Sequence, residues 1–519
     1  MSELPDPSGT EGVDPEDLAT TLRVLGMLHE LPAGHEDIAT VKRAAGTMYN
    51  RVKKARRREA RQAERGPKVA HDQAILDQTA TGSPMRIDDE TKGIPLAASS
   101  ESRFVGELQI PRGCYICHAD YTLVDAFYHW LCPDCAAMSH ARRDQGTDLR
   151  GRRALLTGGR AKIGMYIALR LLRDGADLTI TTRFPRDAAR RFAELADSPE
   201  WIDRLTIVGI DLRDPTQVVA LTDEVASAGP LDILVNNACQ TVRRSPGAYS
   251  QLVDGESRPL EIDGPTPTMI SFDRVSEAHP AALVSSLGEH PVPHADAAAV
   301  RSAADLTDAA AVRSAADLTR LALTAGSASL EAHLAGTAVD AGGLLPDVVT
   351  TNSWKQTVDE VDPLELLEVQ MCNSVAPFLL VSRLRPVMRA AVERHREVVG
   401  DRARAYVVNV SAMEGQFSRR YKGAGHPHTN MAKAALNMLT RTSSGEMFET
   451  DRILMTAVDT GWITDERPHH EKLDIAAQGW HAPLDLVDGA ARVYDPIVRG
   501  ERGEDLYGVF LKNFEPYAW

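Results

Sequence analysis

The chain predicts an α/β fold with a doubly wound parallel sheet, preceded by an α-helical hairpin and a small zinc ribbon, and three observations carry that prediction. From Ala154 an apolar run breaks into Thr157-Gly-Gly-Arg-Ala-Lys-Ile-Gly164 and then into helical periodicity at Ile167, Leu171 and Leu172. A buried strand that hands over through glycines to a helix leaves free N–H groups able to hold a phosphate. Apolar segments at Asp177–Arg183, Leu205–Asp211 and Leu231–Ala238 alternate with amphipathic stretches of helix length, the pattern of parallel strands covered on both faces. Four of the six cysteines form two Cys-x2-Cys pairs, which in a chain with no export signal point to metal rather than disulfides.

The 519 residues, 43% hydrophobic and 25% charged, supply ample material for a core and for two or three domains. A formal net charge of -15 argues against wholesale nucleic-acid binding, while leaving room for a local basic patch. No run approaches the roughly 18 apolar residues of a membrane span, and the first residues are acidic rather than a signal peptide. The expectation is a cytoplasmic protein without a membrane partner.

Residues 1–68 read as a helical N-terminal region. Asp14-Pro15-Glu16 is a helix start, with a capping carboxylate and a proline at the first helical position, and Leu18, Leu22, Leu25 and Leu28 follow on one face. A break at Pro32-Ala-Gly34 leads to a second pattern, Ile38, Val41, Ala45, Met48 and Val52, so the pair forms a hairpin with an apolar stripe to bury. Between residues 51 and 68 stand nine Lys or Arg against Glu59 and Glu64. A solvated basic helix end explains them; an acidic or nucleic-acid partner held by counterion release is the alternative. Residues 69–106 lack periodicity and read as an extended linker.

Residues 107–147 read as the ribbon. Cys114-Tyr-Ile-Cys117 and Cys132-Pro-Asp-Cys135 are 14 residues apart, with Tyr121, Phe127, Tyr128 and Trp130 between them to supply a small core. Two such knuckles bring four thiolates into a tetrahedron around zinc, and a metal with all four positions filled by protein is structural, not catalytic. His118 and His129 are close enough in sequence to replace a cysteine, but four thiolates need no substitute.

From residue 148 onward, Thr157-Gly158 with Gly164, Asp211-Leu212, Asn236-Asn237-Ala238, Asn373, Val408-Asn409-Val410-Ser411 and Lys433 fall in one order along the chain. That order resembles the motif series of the short-chain dehydrogenase/reductase family, over residues 148–519 minus an insertion at about 245–350. The resemblance implies a Rossmann-type fold, a nicotinamide cofactor, a carbonyl or alcohol substrate and a homo-oligomer. It places the cofactor against Thr157, Gly158, Arg160, Lys162, Ile163, Gly164, Arg183, Asp211, Leu212, Asn237, Ala238, Lys433, Gly461 and Thr464. Lys162 stands where the family usually carries a further glycine, and Cys239 where it carries one after Asn-Asn-Ala; Cys239 reads as packing rather than as a nucleophile. The second strand ends in Thr181-Thr182-Arg183, with no carboxylate to hold ribose hydroxyls, so Arg160, Lys162 and Arg183 favour the 2′-phosphate of NADP over NAD.

The family's chemistry uses a tyrosine, a lysine four residues later, a serine and an asparagine. Lys433 and Asn373 are present, but the tyrosine position is Thr429, and the residue after Asn409-Val-Ser411, where the catalytic serine normally stands, is Ala412. Threonine is no substitute for a phenol of pKa about 10, and losing a placed general acid typically costs 10²- to 10⁴-fold. The stand-ins for the acid are Tyr421, His426 and His428, with Ser411 able to hold a substrate oxygen in a shifted register. Two readings follow: an atypical NADP-dependent oxidoreductase, or an NADP-binding pseudoenzyme that senses redox state or scaffolds an assembly. Inside the insertion, Asp296–Thr307 recurs unchanged as Asp308–Thr319, too short for a solenoid, in a segment that either covers the substrate or forms a surface loop.

Overall fold

The computed structural model describes residues 12–84, 86, 102–244, 246–272, 276, 278–280, 340, 343–345, 349–463 and 466–519. The duplicated segment 296–319 lies outside the described residues. The chain falls into two compact units, Met1–Ala74 and Ile75–Trp519.

In the first unit Asp14 caps α1 (Pro15–Met27), its carboxylate accepting the amides of Glu16 and Asp17. The second helix, α2 (Glu36–Leu76), does not stop at the basic stretch. It passes through Pro67, which corrects the expected linker start at residue 69. Solvated Lys and Arg propagate a helix well, which offsets a proline that removes one ladder bond and crowds the carbonyl four residues earlier, at about 3 kcal/mol. Leu18, Leu22, Leu25, Met48 and Val52 are exposed, so among the described residues the apolar stripe is not buried. Arg51 to Lys68 are likewise exposed wherever their side chains are described.

In the second unit the strands are β1 (Phe104–Gly113), β2 (Asp120–Asp125), β3 (Arg153–Leu156), β4 (Asp177–Thr182), β5 (Leu205–Gly209) and β6 (Ile233–Asn236). They continue with β7 (Thr268–Ser271), β8 (Ala405–Ser411), β9 (Ile453–Asp459), β10 (Phe510–Lys512) and β11 (Glu515–Tyr517). β1 and β2 make an antiparallel hairpin, so the ribbon starts three residues before the boundary read from the sequence. The other nine strands form one sheet in the order β11-β10-β9-β8-β6-β3-β4-β5-β7, parallel except at the β10–β11 hairpin. The order reverses between β3 and β6, and ligands bind such sheets at that switch point, at the carboxyl ends of the strands.

Among the described residues the helices of this unit begin with α3 (Pro133–Arg143), α4 (Lys162–Arg173), α5 (Pro185–Ala193), α6 (Pro215–Ser227) and α7 (Ser250–Ser257). After the insertion come α8 (Pro363–Gln370), α9 (Ala376–Val399), α10 (Pro427–Asp451), α11 (His469–Ala477) and α12 (Leu486–Glu501). Ile167, Leu171, Val493 and Ile497 of α4 and α12 pack on one face of the sheet, and Leu221, Leu380, Leu384 and Met388 of α6 and α9 on the other. Covered on both sides, β6, β8 and β9 are buried at every position, which is why their sequences are mostly apolar.

Residues 363–402 have the length and composition to cross a membrane, contrary to the reading of the sequence. Yet 56% of the apolar window is buried inside the fold, as expected of a helix that covers a sheet. The described part of the insertion also departs from expectation. β7 adds to the β5 edge and α7 packs Leu252 and Val253 on Phe184, at the far side of the sheet from β8 and β9.

Candidate functional site

The glycine turn follows β3 at the switch point, and its packing explains the glycines. A Cβ on Gly164 would stand 2.0 Å from the Gly158 carbonyl oxygen, and one on Gly158, at φ +69°, would stand 2.9 Å from Ala238 Cα. Gly159 lies against Ile180 with no room for a side chain. Thr157 Oγ1 accepts the amides of Asn237 and Ala238, each at 3.0 Å, while Asn237 Nδ2 donates to the carbonyls of Thr157 and Gly158. The turn is thereby tied to the end of β6, with the N-terminus of α4 opening beside it. Lys162 sits at φ +52°, in the left-handed region, which accounts for the glycine usual at this place and marks Lys162 as strained by roughly 1–2 kcal/mol.

The cations predicted for a 2′-phosphate gather around the end of β4, where each already has a counterpart. Arg160 Nη1 is 2.5 Å from Asp187, which also pairs with Arg191. Lys162 Nζ is 3.1 Å from Asp340, a residue of the insertion that the sequence reading did not single out. Arg183 lies over the rings of Phe184 and Tyr249, its Nη2 3.4 Å from the Tyr249 hydroxyl. Asp211, at the end of the segment after β5, is buried and bonded by Arg213, with His279 at 3.6 Å. Burial pushes the Asp211 carboxyl up, but Arg213 and His279 prevail and hold it well below the usual carboxylate range. Leu212 is buried in the core beside it.

The positions expected for chemistry converge on the ends of β6, β8 and α10. Lys433 Nζ donates to the Val410 carbonyl at 2.8 Å and is buried. Asn373 lies in a π turn, Met371–Val375, between α8 and α9, and grips both backbone atoms of Gln240, accepting from its amide and donating to its carbonyl at 2.8 Å. Such π turns recur at functional sites because they re-aim one side chain within a helix. Ser411 gives its hydroxyl to Asn437 Oδ1 at 2.6 Å and is buried, so in this arrangement its donor is committed to α10. Thr429 is buried, its hydroxyl donating to the Thr241 carbonyl at 3.3 Å.

The three stand-ins for the acid are placed differently. His428 is buried beside Thr429, Nε2 at 3.5 Å from its hydroxyl; burial, then the neighbouring His426, lowers its pKa to about 4. His426 caps α10 in the left-handed conformation and stacks on Trp354 with ring centroids 4.0 Å apart and planes 8° from parallel. Tyr421 is 76% exposed, on a loop tied by Lys422 Nζ to the carbonyls of Met413 and Glu414. Trp354 was legible only as an isolated aromatic, because its partner is 72 residues away. Gly461, at φ +80°, follows β9 and donates its amide to Asp459; Thr464 lies outside the described residues. Cys239 is exposed, and burial pushes Cys372 up to about 12.

The four cysteines of the ribbon do meet. The Sγ atoms of Cys114, Cys117, Cys132 and Cys135 lie within 4.8 Å of one another. His118, at φ +62°, lets the first knuckle turn back, and the Cys132 amide donates to Cys114 Sγ at 3.3 Å. An Ala119 amide bond pulls the Cys117 thiol down, whereas burial raises those of Cys132 and Cys135. The set fits a tetrahedral soft-metal site. His129 is turned away, with Nδ1 on Thr81.

Residues 152–253 match the short chain dehydrogenase family. That stretch runs from β3 to the start of α7 and holds the glycine turn, so this part of the α/β domain is of short-chain dehydrogenase type. The chain is 28% identical over 399 residues to an uncharacterized protein of Acanthamoeba polyphaga mimivirus, covering 74% of this chain and 71% of that one. It is 42% identical over 91 residues to a probable oxidoreductase of Streptomyces antibioticus, 18% of this chain and 30% of that protein's length. Among solved structures it is similar to an NADPH-bound carbonyl reductase from chicken fatty liver (17% identity, TM-score 0.41, 73% of this chain and 98% of that one).

Proposed function

We propose that this chain binds NADP and passes hydride between it and a small carbonyl or alcohol substrate. The observation that supports the reading best is the turn in which Gly158, Gly159 and Gly164 leave no space for a Cβ at the switch point, with Lys433 of α10 bonded to Val410 near the end of β8. Thr157 to Gly164 would hold the pyrophosphate, Asn237–Ala238 would line the cofactor, and Arg183, with Arg160, would hold the 2′-phosphate. The end of β4 carries Thr181 and Thr182 and no carboxylate, which favours NADP over NAD. The nicotinamide supplies the hydride. Lys433, held by Val410, would orient the ribose, and Asn373 would fix the segment after β6 that faces the substrate. His428, lowered to about 4 by burial, is neutral at pH 7 and too weak a base to take the proton, so in either direction the proton would pass through Tyr421 or His426.

The second reading, an NADP-binding pseudoenzyme, is favoured by one observation: Thr429 occupies the family's tyrosine position and spends its hydroxyl on Thr241. Fluorescence titration with NADPH and NADH, followed by NADPH oxidation against a panel of aldehydes and ketones, separates the readings. Binding with turnover that Lys433→Ala abolishes supports the enzyme. Binding without turnover supports the pseudoenzyme, and no binding of either nucleotide refutes both.

A further inference from the structure

The ribbon is built into the cofactor side of the α/β domain. Tyr115, inside the first cysteine knuckle, accepts the backbone amide of Trp462 on its hydroxyl at 2.9 Å, in the loop that follows β9. In the same loop the Gly461 amide is fixed by a side chain, donating to Asp459 at 2.9 Å. Ile463 of the loop and Ile163 of the glycine turn pack in one apolar cluster with Cys114, Cys132 and Cys135. Gly489 of α12 makes room for both isoleucines: a Cβ there would stand 2.3 Å from Ile463 and 3.2 Å from Ile163. The second knuckle is anchored to the same helix start, because Tyr128 donates to Asp488 at 2.6 Å and Arg143 of α3 pairs with Asp485 at 2.5 Å. Arg86 adds bonds to the carbonyls of Ala482 and Leu484.

We propose that the four cysteines bind zinc and that the zinc-bound ribbon holds the two cofactor loops in place through the positioning residue Tyr115, so that zinc and nicotinamide nucleotide bind cooperatively. The inference rests on the nucleotide-binding reading above. Its physical basis is continuity. Tyr115 is the residue after the first ligand, so the metal that fixes the Cys114 backbone also fixes the phenol. The phenol in turn sets the height of Trp462 above the end of β9. Without the metal the small ribbon core loses its main crosslink, and Ile163 and Ile463 lose their common support. Thermodynamic linkage then requires the effect to be reciprocal: whatever factor zinc adds to nucleotide affinity, nucleotide adds to zinc affinity.

The test uses the full chain. Zinc content is measured colorimetrically, and NADPH dissociation constants are measured by fluorescence for zinc-loaded, chelator-stripped and zinc-restored protein. Zinc affinity is measured by chelator competition with and without NADPH. The expected results are one zinc per chain, NADPH binding weakened about tenfold on stripping and regained on restoration, and the same factor in zinc affinity. Tyr115→Phe keeps the ring and the metal, so it should retain its zinc and melting temperature while binding NADPH about fivefold more weakly. Equal NADPH affinity with and without zinc overturns the coupling and leaves the nucleotide-binding reading standing; absence of NADPH binding to the zinc-loaded chain removes both. Coupling that survives unchanged in Tyr115→Phe removes the assigned role of that hydroxyl, and a chain that purifies and refolds without taking up zinc overturns the metal.

Discussion

Gly164→Ala is the perturbation whose effect follows most directly from geometry. The added Cβ would stand 2.0 Å from the Gly158 carbonyl oxygen and 2.8 Å from Asn237 Nδ2. The first neighbour is backbone, so relief requires the turn and α4 to separate by more than 1 Å rather than a side chain to swing aside. Overpacking on this scale costs about 1–3 kcal/mol, and the separation also breaks the Asn237 bonds to the carbonyls of Thr157 and Gly158. A loss of about 2 kcal/mol corresponds to roughly thirtyfold in an equilibrium constant if it falls on the nucleotide-binding conformation. The assay pairs NADPH titration with thermal melting, and Gly445→Ala in α10 serves as control. Nothing lies within 4 Å of a Cβ at Gly445, so helix propensity should stabilise that variant by about 0.5–1 kcal/mol. Gly164→Ala that binds NADPH like the unaltered chain, with an unchanged melting temperature, would refute the role given to the turn.

Other outcomes follow from the charges. Asp340→Asn removes the carboxylate paired with Lys162 and should tighten NADPH binding several-fold at low salt, with the gain shrinking as salt rises; weaker binding in titrations would show that Asp340 supports the site. Burial pushes Glu365 up from 4.5 to about 6, so the folded state binds this proton more tightly than the unfolded one. Stability therefore falls as pH rises from about 4.5 to 6, by about 2 kcal/mol, and stays lower above that window. Glu365→Gln should remove that slope, giving a higher melting temperature than the unaltered chain at pH 7.5 and little difference at pH 4. Lys433→Ala should weaken NADPH binding by tenfold or more under the nucleotide-binding reading while leaving zinc content unchanged, which titration and metal analysis check together.

The sheet was legible because β3, β6, β8 and β9 are covered on both faces and are therefore mostly apolar, and because glycine alone fits the turn before α4. The metal cluster was legible because ligand spacing within a knuckle is local. What the sequence alone left open depends on pairs distant along the chain. That Lys162 meets Asp340, His426 stacks on Trp354 and Tyr115 holds Trp462 follows from how the sheet and insertion bring separate loops together. That helix α2 runs on through Pro67 was not legible, because a solvated basic stretch carries no apolar period to mark where the helix ends. β7 escaped notice because a four-residue edge strand, mostly exposed, carries no apolar run. Sequence by itself determined the class of fold and the chemistry each residue can offer. Only the tertiary structure decided which donors are already engaged, as with Ser411 on Asn437, since hydrogen bonds and ion pairs are set by proximity in space.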